Sequence, residues 1–153
     1  MGETDGRLTG AACVCVRRDG PEPRILLVEQ VRPTPGIRAW ELPSGMVDEE
    51  DDSPAESALR EFGEETGAQA SLVADLGEIY PDVGVFGAAV DVVLASFEFA
   101  ESDAEDEDEP EVATTRWFTL AEVKELIATG RLRDGVTLSA LALAGVYSGI
   151  SLG

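Results

Sequence analysis

REFGEETGA, residues 60–68, sets one arginine and three glutamates within six residues and closes on a glycine. Upstream, Ser53-Pro54-Ala55-Glu56 has the form of a helix start: a serine N-cap, a proline at the first helical position and a glutamate at N3 completing a capping box. Gly67 supplies the stop, because glycine accepts the left-handed conformation common just past a helix C-terminus. The spacing predicts a helix from about Pro54 to Thr66. On a wheel advancing about 100° per residue, Glu61, Glu64 and Glu65 share one arc, while Ala55, Leu59, Phe62 and Thr66 fall on another. The acidic face and the core face of this helix are therefore distinct.

Like charges four residues apart destabilise a helix by a few tenths of a kcal/mol per pair, and carboxylates near the C-terminal end also oppose the helix dipole. Arg60 relieves part of this, with Glu56 and Glu64 each four residues away. A divalent cation would relieve more, since magnesium is commonly held by a few carboxylates and waters beside a phosphate substrate. A solvated acidic face in an acidic protein is the simpler explanation of the helix taken alone.

Working outward, Gly10 to Val16 and Arg24 to Glu29 are apolar, β-branched runs separated by RRDGPEP, whose Asp-Gly and proline content marks a turn. A hairpin is expected. The stretch from Val31 to Pro54 carries four prolines, too many for a long helix or central strand; it should be mostly loop, with short strands near Trp40 and Met46. Beyond the helix, Ser71 to Ile79 and Val85 to Phe99 read as strands. Residues 101–111 hold eight acids in eleven positions and read as a solvated loop. Arg116 to Phe118 suggests a closing strand, and Thr119-Leu120-Ala121-Glu122 repeats the capping-box pattern before a helix ending near Gly130. A last helix, about Thr137 to Tyr147, is apolar almost all round and is expected to be well buried. Strands, helix, strands, helix, helix without regular alternation favours an α+β fold, a mixed sheet flanked by helices. Residues 1–9 read as a flexible N-terminus and residues 10–153 as one domain.

The 153 residues carry 11 basic and 31 acidic side chains, a formal net charge of −20, and no histidine. That charge repels nucleic acid and anionic membranes, so neither is an expected partner. Without histidine, acid/base chemistry falls to carboxylates, and a metal held by them should be a hard, oxygen-seeking one. No apolar run approaches the ~20 residues of a membrane span, and no basic-then-apolar leader opens the chain, so a cytoplasmic location is expected. Cys13 and Cys15, two residues apart in AACVCV, would share one face of a strand as reduced core residues.

The run ELPSGMVDEEDDSPAESALREFGEETGA (41–68) resembles the signature of the Nudix hydrolases: a glycine, five residues, a glutamate, seven residues, then R-E-U-x-E-E-x-G-U, with U bulky and aliphatic. Arg60, Glu61, Phe62, Glu64, Glu65 and Gly67 match the second half, with Phe62 and Ala68 at the U positions. Gly45 lies fifteen residues before Arg60 where the family has fourteen, so the loop carries one extra residue and the first glutamate becomes Asp51 or Asp52. LLVEQVRP, YPDVG with Pro81 fourteen residues past Gly67, the acidic loop and GRLRDGVTLSALALA are most similar to the ADP-ribose pyrophosphatases. That subfamily usually adds an N-terminal β-domain that builds a swapped dimer; about ten residues precede the first core strand here, and a homodimer is expected only from the resemblance.

The resemblance implies an α/β/α sandwich and a magnesium- or manganese-dependent hydrolase that splits ADP-ribose, or a related nucleoside diphosphate sugar, into AMP and a sugar phosphate. Glu61 and Glu65 would be the principal metal ligands, with Glu64 assisting and the Ser44 carbonyl contributing. Arg60 would orient the glutamates. The general base would be an acid of the loop before the last strand, Glu107 first and Glu109 second. Arg32 and Glu41 would contact substrate, Arg32 through its phosphates, while Trp40 is expected to anchor the core or loop rather than stack on a base. The rival readings are a Nudix hydrolase of oxidised nucleoside triphosphates or dinucleoside polyphosphates, and a non-catalytic nucleotide-binding domain. A calcium buffer lacks any EF-hand loop spacing.

Overall fold

The computed structural model describes residues 10–32, 36–82, 84, 88–100 and 114–148. In chain order the elements are β1 (Gly10–Arg17), β2 (Arg24–Arg32), β3 (Ile37–Glu41), β4 (Ser44–Met46), α1 (Pro54–Thr66), β5 (Ala68–Ile79), β6 (Val90–Ala100), β7 (Thr115–Thr119), α2 (Leu120–Ala128) and α3 (Gly135–Ser148). Residues 1–9, read as a flexible N-terminus, and residues 85–87, read as the start of a strand, lie outside the described residues.

The strands form one mixed sheet in the order β3-β2-β1-β6-β5, with β4 added to β1 and β7 to β2. The expected hairpin is present but short. β1 and β2 pair only at Val16↔Ile25 and Arg17↔Arg24, where Asp19 in the turn accepts from Arg17 at 2.8 Å and Arg24 at 3.2 Å. Beyond that point the strands part, and β4 takes the freed edge of β1, pairing Ala11 with Gly45 and Ala12 with Ser44. On its other side β1 runs parallel to β6 over seven residue pairs. A parallel pair needs a crossover connection, and α1 lies in the chain between them.

β1 is buried on both faces, and its alternation divides the interior in two. Val14 and Val16 join Ile25, Leu27, Val92 and Leu94 in a core capped by α2 and α3. Ala11, Cys13 and Cys15 join Leu26, Val93 and Ala95 in a second core beneath α1, which contributes Ala55, Ala58 and Phe62. Both cysteines are free and buried. The result is a three-layer sandwich with α1 alone on one side.

The helix caps differ in detail from the sequence reading. Ser53 caps α1, accepting from Glu56 N at 3.1 Å, but Glu56 reaches past the cap to Asp52 N at 3.0 Å. The reciprocal box is complete only at α2, between Thr119 and Glu122. Gly67 ends α1 at φ 71° with its N–H on the Gly63 carbonyl. α3 begins before Thr137 because Asp134 caps it, its Oδ2 accepting from Thr137 N at 3.0 Å and Oγ1 at 2.8 Å.

The expectation that α3 is well buried is corrected: Thr137, Ala140, Ala144 and Gly145 are its buried residues, whereas Val146 is 84% exposed and Tyr147 59%. A helix in an outer layer offers the sheet one narrow face. Here the buried line consists of small residues, Leu141 and Leu143 pack partly against the core, and Val146 and Tyr147 remain outside.

Candidate active site

Glu61 sits where α1 crosses β4. A Cβ added at Gly45 would lie 2.9 Å from both Cγ and Cδ of Glu61 and 3.1 Å from its Oε2. Only the absent side chain lets the strand backbone approach the carboxylate so closely. Ser44, the other β4 residue named from sequence, pairs with Ala12 beside this contact.

Arg60 gathers the surrounding acids. Its Nη2 donates to Asp51 Oδ2 at 2.9 Å and its Nε to the same oxygen at 3.1 Å. Its Nη1 donates at 3.3 Å to Glu61 Oε1 and to both oxygens of Glu64. Asp51 also accepts from Ser57 Oγ at 2.7 Å. Hydrogen bonding to Arg60, then to Ser57, holds the Asp51 carboxyl below the usual aspartate range, and the same contacts keep Arg60 charged. The arginine works as a planar fork, binding one carboxylate side-on and leaning on two more.

The two loop acids differ in their contacts. Asp51 is the one that meets Arg60, whereas Asp52 is exposed. The loop closes in a tight turn in which Asp51 N donates to Asp48 O at 3.1 Å and Glu50 N to Asp48 Oδ1 at 2.9 Å. Ser57 then ties the turn to α1 by accepting from Asp48 N at 3.2 Å.

Glu65, one turn beyond Glu61, accepts from Gln30 Nε2 of β2 at 3.4 Å. Glu41 is 4% exposed at the end of β3. The segment after it is fixed from two sides, since Leu42 N donates to Thr137 Oγ1 at 3.0 Å and Cys13 N to Pro43 O at 3.0 Å. Trp40 is a core anchor, 4% exposed and edge-on to Phe118 at 4.8 Å. Arg32 closes β2, but its side chain lies outside the described residues, as do Glu107 and Glu109.

The donors fit a hard divalent cation. They are all oxygens in a chain without histidine, and the backbone of β4 comes against Glu61 with no side chain between. Among the described residues no three acidic or thiol side chains form a preformed metal cage. Magnesium needs none, because it binds through one or two carboxylates and completes its shell with water and substrate phosphates.

Sequence reading missed one acid. Asp91 on β6 is 8% exposed and its Oδ2 has no hydrogen-bond partner. Burial pushes its pKa up to about 7, with Asp75 and then Glu78 adding to the shift. Register puts Asp91 beside Ala11, which on its other side pairs with Gly45, about 10 Å from Gly45 by strand spacing. The signal was an aspartate at an inward position of the valine-rich strand VDVV.

A model of the NUDIX domain matches residues 6–140. Over 141 residues, 92% of this chain and 66% of the relative, the sequence is 33% identical to the CMP-5'-(N-acetyl-N-hydroxy-3-aminopropyl)phosphonate hydrolase of Streptomyces rubellomurinus. It is 34% identical over 124 residues to the ADP-ribose pyrophosphatase of Mycobacterium tuberculosis, covering 81% of this chain and 58% of that one. The chain thus spans about 58–66% of the length of these relatives. A crystal structure of an ADP compounds hydrolase superposes with a TM-score of 0.73 at 22% identity, over 94% of this chain and 76% of that one, a likeness of fold.

Proposed function

The chain belongs to the NUDIX family, and from that premise we propose that it is a divalent-metal-dependent pyrophosphohydrolase cleaving ADP-ribose or a related nucleoside diphosphate sugar. The observation that carries this reading is the Glu61 carboxylate pressed on Gly45 while Arg60 joins it to Asp51 and Glu64. A non-catalytic binding domain has no need of such an arrangement. The relative named ADP-ribose pyrophosphatase supports the substrate class.

Glu61 and Glu65 would hold magnesium or manganese, with Glu64 and the Ser44 carbonyl assisting. When bound, the metal neutralises the diphosphate and lowers the pKa of the attacking water. The chain's own residues prepare for this. Arg60 orients Glu61 and Glu64, and Asp51 with Ser57 fixes Arg60. Arg32 and Glu41 bind substrate, and Glu107, or Glu109 in its place, takes the proton released as water bonds to phosphorus. The bridging P–O bond breaks, leaving AMP and ribose phosphate. A homodimer in the cytoplasm completes the proposal.

A second reading comes from the relative that hydrolyses a CMP-linked phosphonate: the scissile bond could join a nucleoside monophosphate to a phosphonate. A panel of ADP-ribose, GDP-mannose, a CMP-alkylphosphonate and nucleoside triphosphates, each with and without magnesium or manganese, separates the readings. AMP released from ADP-ribose fastest, and only with metal, is expected. Absence of turnover on the whole panel would refute the enzyme reading, and Glu65→Gln with full activity would refute the ligand assignment.

A further inference from the structure

On the face of the sheet away from α1, a cavity of about 420 Å³ opens between α2 and α3. Its floor is the sheet itself, through Val14, Val16, Ile25 and Leu94, and small residues on α3, Ala144 and Gly145, leave it room. The volume lies within the range of small-molecule pockets.

The electrostatics of this cavity invert those of the molecule. The chain holds 31 acidic residues against 11 basic, yet among the described residues no acid lines the cavity, and Arg18 and Lys124 both do. Both are exposed, and among the described residues neither is paired with a carboxylate. Arg17, Arg24, Arg38 and Arg60 have acidic partners, while Arg116, Arg131 and Arg133, like the two rim cations, show none among the described residues. An apolar floor with unpaired cations at the rim suits a molecule that is greasy at one end and anionic at the other.

We propose that this cavity is a second binding site, separate from the acidic face of α1, that takes an amphipathic anion: a saturated acyl chain with a carboxylate head, the chain lying between Ile127 and Leu138 over the sheet and the head at Arg18 and Lys124. Nothing in this inference depends on the reaction assigned to the other face.

The test uses the full chain with sodium decanoate as probe, followed by methyl NMR and calorimetry. Decanoate should shift the methyl resonances of Val14, Val16, Ile25 and Leu94 and leave Ala11 and Ala58 beneath α1 unmoved. Octanoate should bind about 15-fold more weakly, at roughly fourfold per methylene. Decanol should bind more weakly than decanoate. Arg18→Glu with Lys124→Glu, both at exposed sites, should weaken decanoate at least tenfold and leave decanol unchanged. Ile127→Trp, at a half-exposed wall position, should weaken both. The proposal is overturned if millimolar decanoate shifts none of these methyls, or if the charge reversals leave its affinity unchanged. Two further results would assign the cavity to another occupant and equally overturn it: contacts from Ile150 or Leu152 to Val14 in the ligand-free chain, or a dimer in sedimentation that Ile127→Trp abolishes.

Discussion

Replacing Gly45 with alanine adds one methyl group at the point where β4 meets Glu61. The new carbon would stand 2.9 Å from Cγ and Cδ of Glu61, where ordinary contact begins at 3.4 Å, so the carboxylate must withdraw by at least about 0.5 Å. The Glu61 side chain is 32% exposed and can swing outward. Gly45 does not have a positive φ, so the backbone accepts alanine, and a strand gains about 0.5–1 kcal/mol from losing a glycine. Stability should therefore hold or rise slightly while the site loses its geometry. A displacement of about 1 Å costs on the order of 100-fold in rate, so one of about 0.5 Å costs on the order of 10-fold. We expect kcat/KM for ADP-ribose with magnesium to fall by about that factor, with an unchanged urea midpoint. Gly63→Ala is the control, since its added carbon meets nothing closer than 3.5 Å and it lies on the same helix; it should retain activity and gain up to about 1 kcal/mol. If Gly45→Ala keeps kcat/KM within threefold of the parent, Glu61 is not a residue whose position matters, and the site described here is wrong.

Two other predictions concern charge. Arg60→Gln should lower activity and metal affinity by about 10–100-fold, the usual effect of losing a group that orients ligands, and Arg60→Lys should fall between, keeping charge without the fork; equal metal affinity in all three proteins would remove Arg60 from this role. Asp91 has a folded pKa of about 7 against about 3.9 unfolded, so the folded state holds the extra proton and stability falls as pH rises from about 4 through 7. At 1.36 kcal/mol per unit the ceiling is about 4 kcal/mol; discounted for solvent screening, Asp91→Asn should gain on the order of 1–2 kcal/mol at pH 8 and nothing near pH 4. Denaturation midpoints at both pH values decide it, and no gain at pH 8 would contradict the burial argument.

Local chemistry made much of this legible beforehand. The serine, proline and glycine around α1 located both its ends, and its apolar spacing separated Phe62 from the acids. The alternation of AACVCV put both thiols on one face of a strand, the face that the fold turns toward α1. What sequence could not resolve depended on contacts between distant segments. Asp51 and Asp52 are chemically alike, and only the path of the turn brings the first to Arg60. The close contact of Gly45 with Glu61 joins residues of two elements, and Asp91 became conspicuous only once β6 was set between β1 and β5. In α3, uniform apolarity suggested burial on all sides, but an outer layer has only one side to bury.

The central strand also carries its own gauge of opening. Cys13 and Cys15 are both buried, and burial raises both thiol pKa values, that of Cys15 to about 12. Since the thiolate is the form that reacts, an alkylating reagent at neutral pH meets essentially none while β1 stays in place. The rate at which the two thiols are labelled thus counts excursions of a strand that contributes to both cores, in a protein that needs no introduced probe to report them.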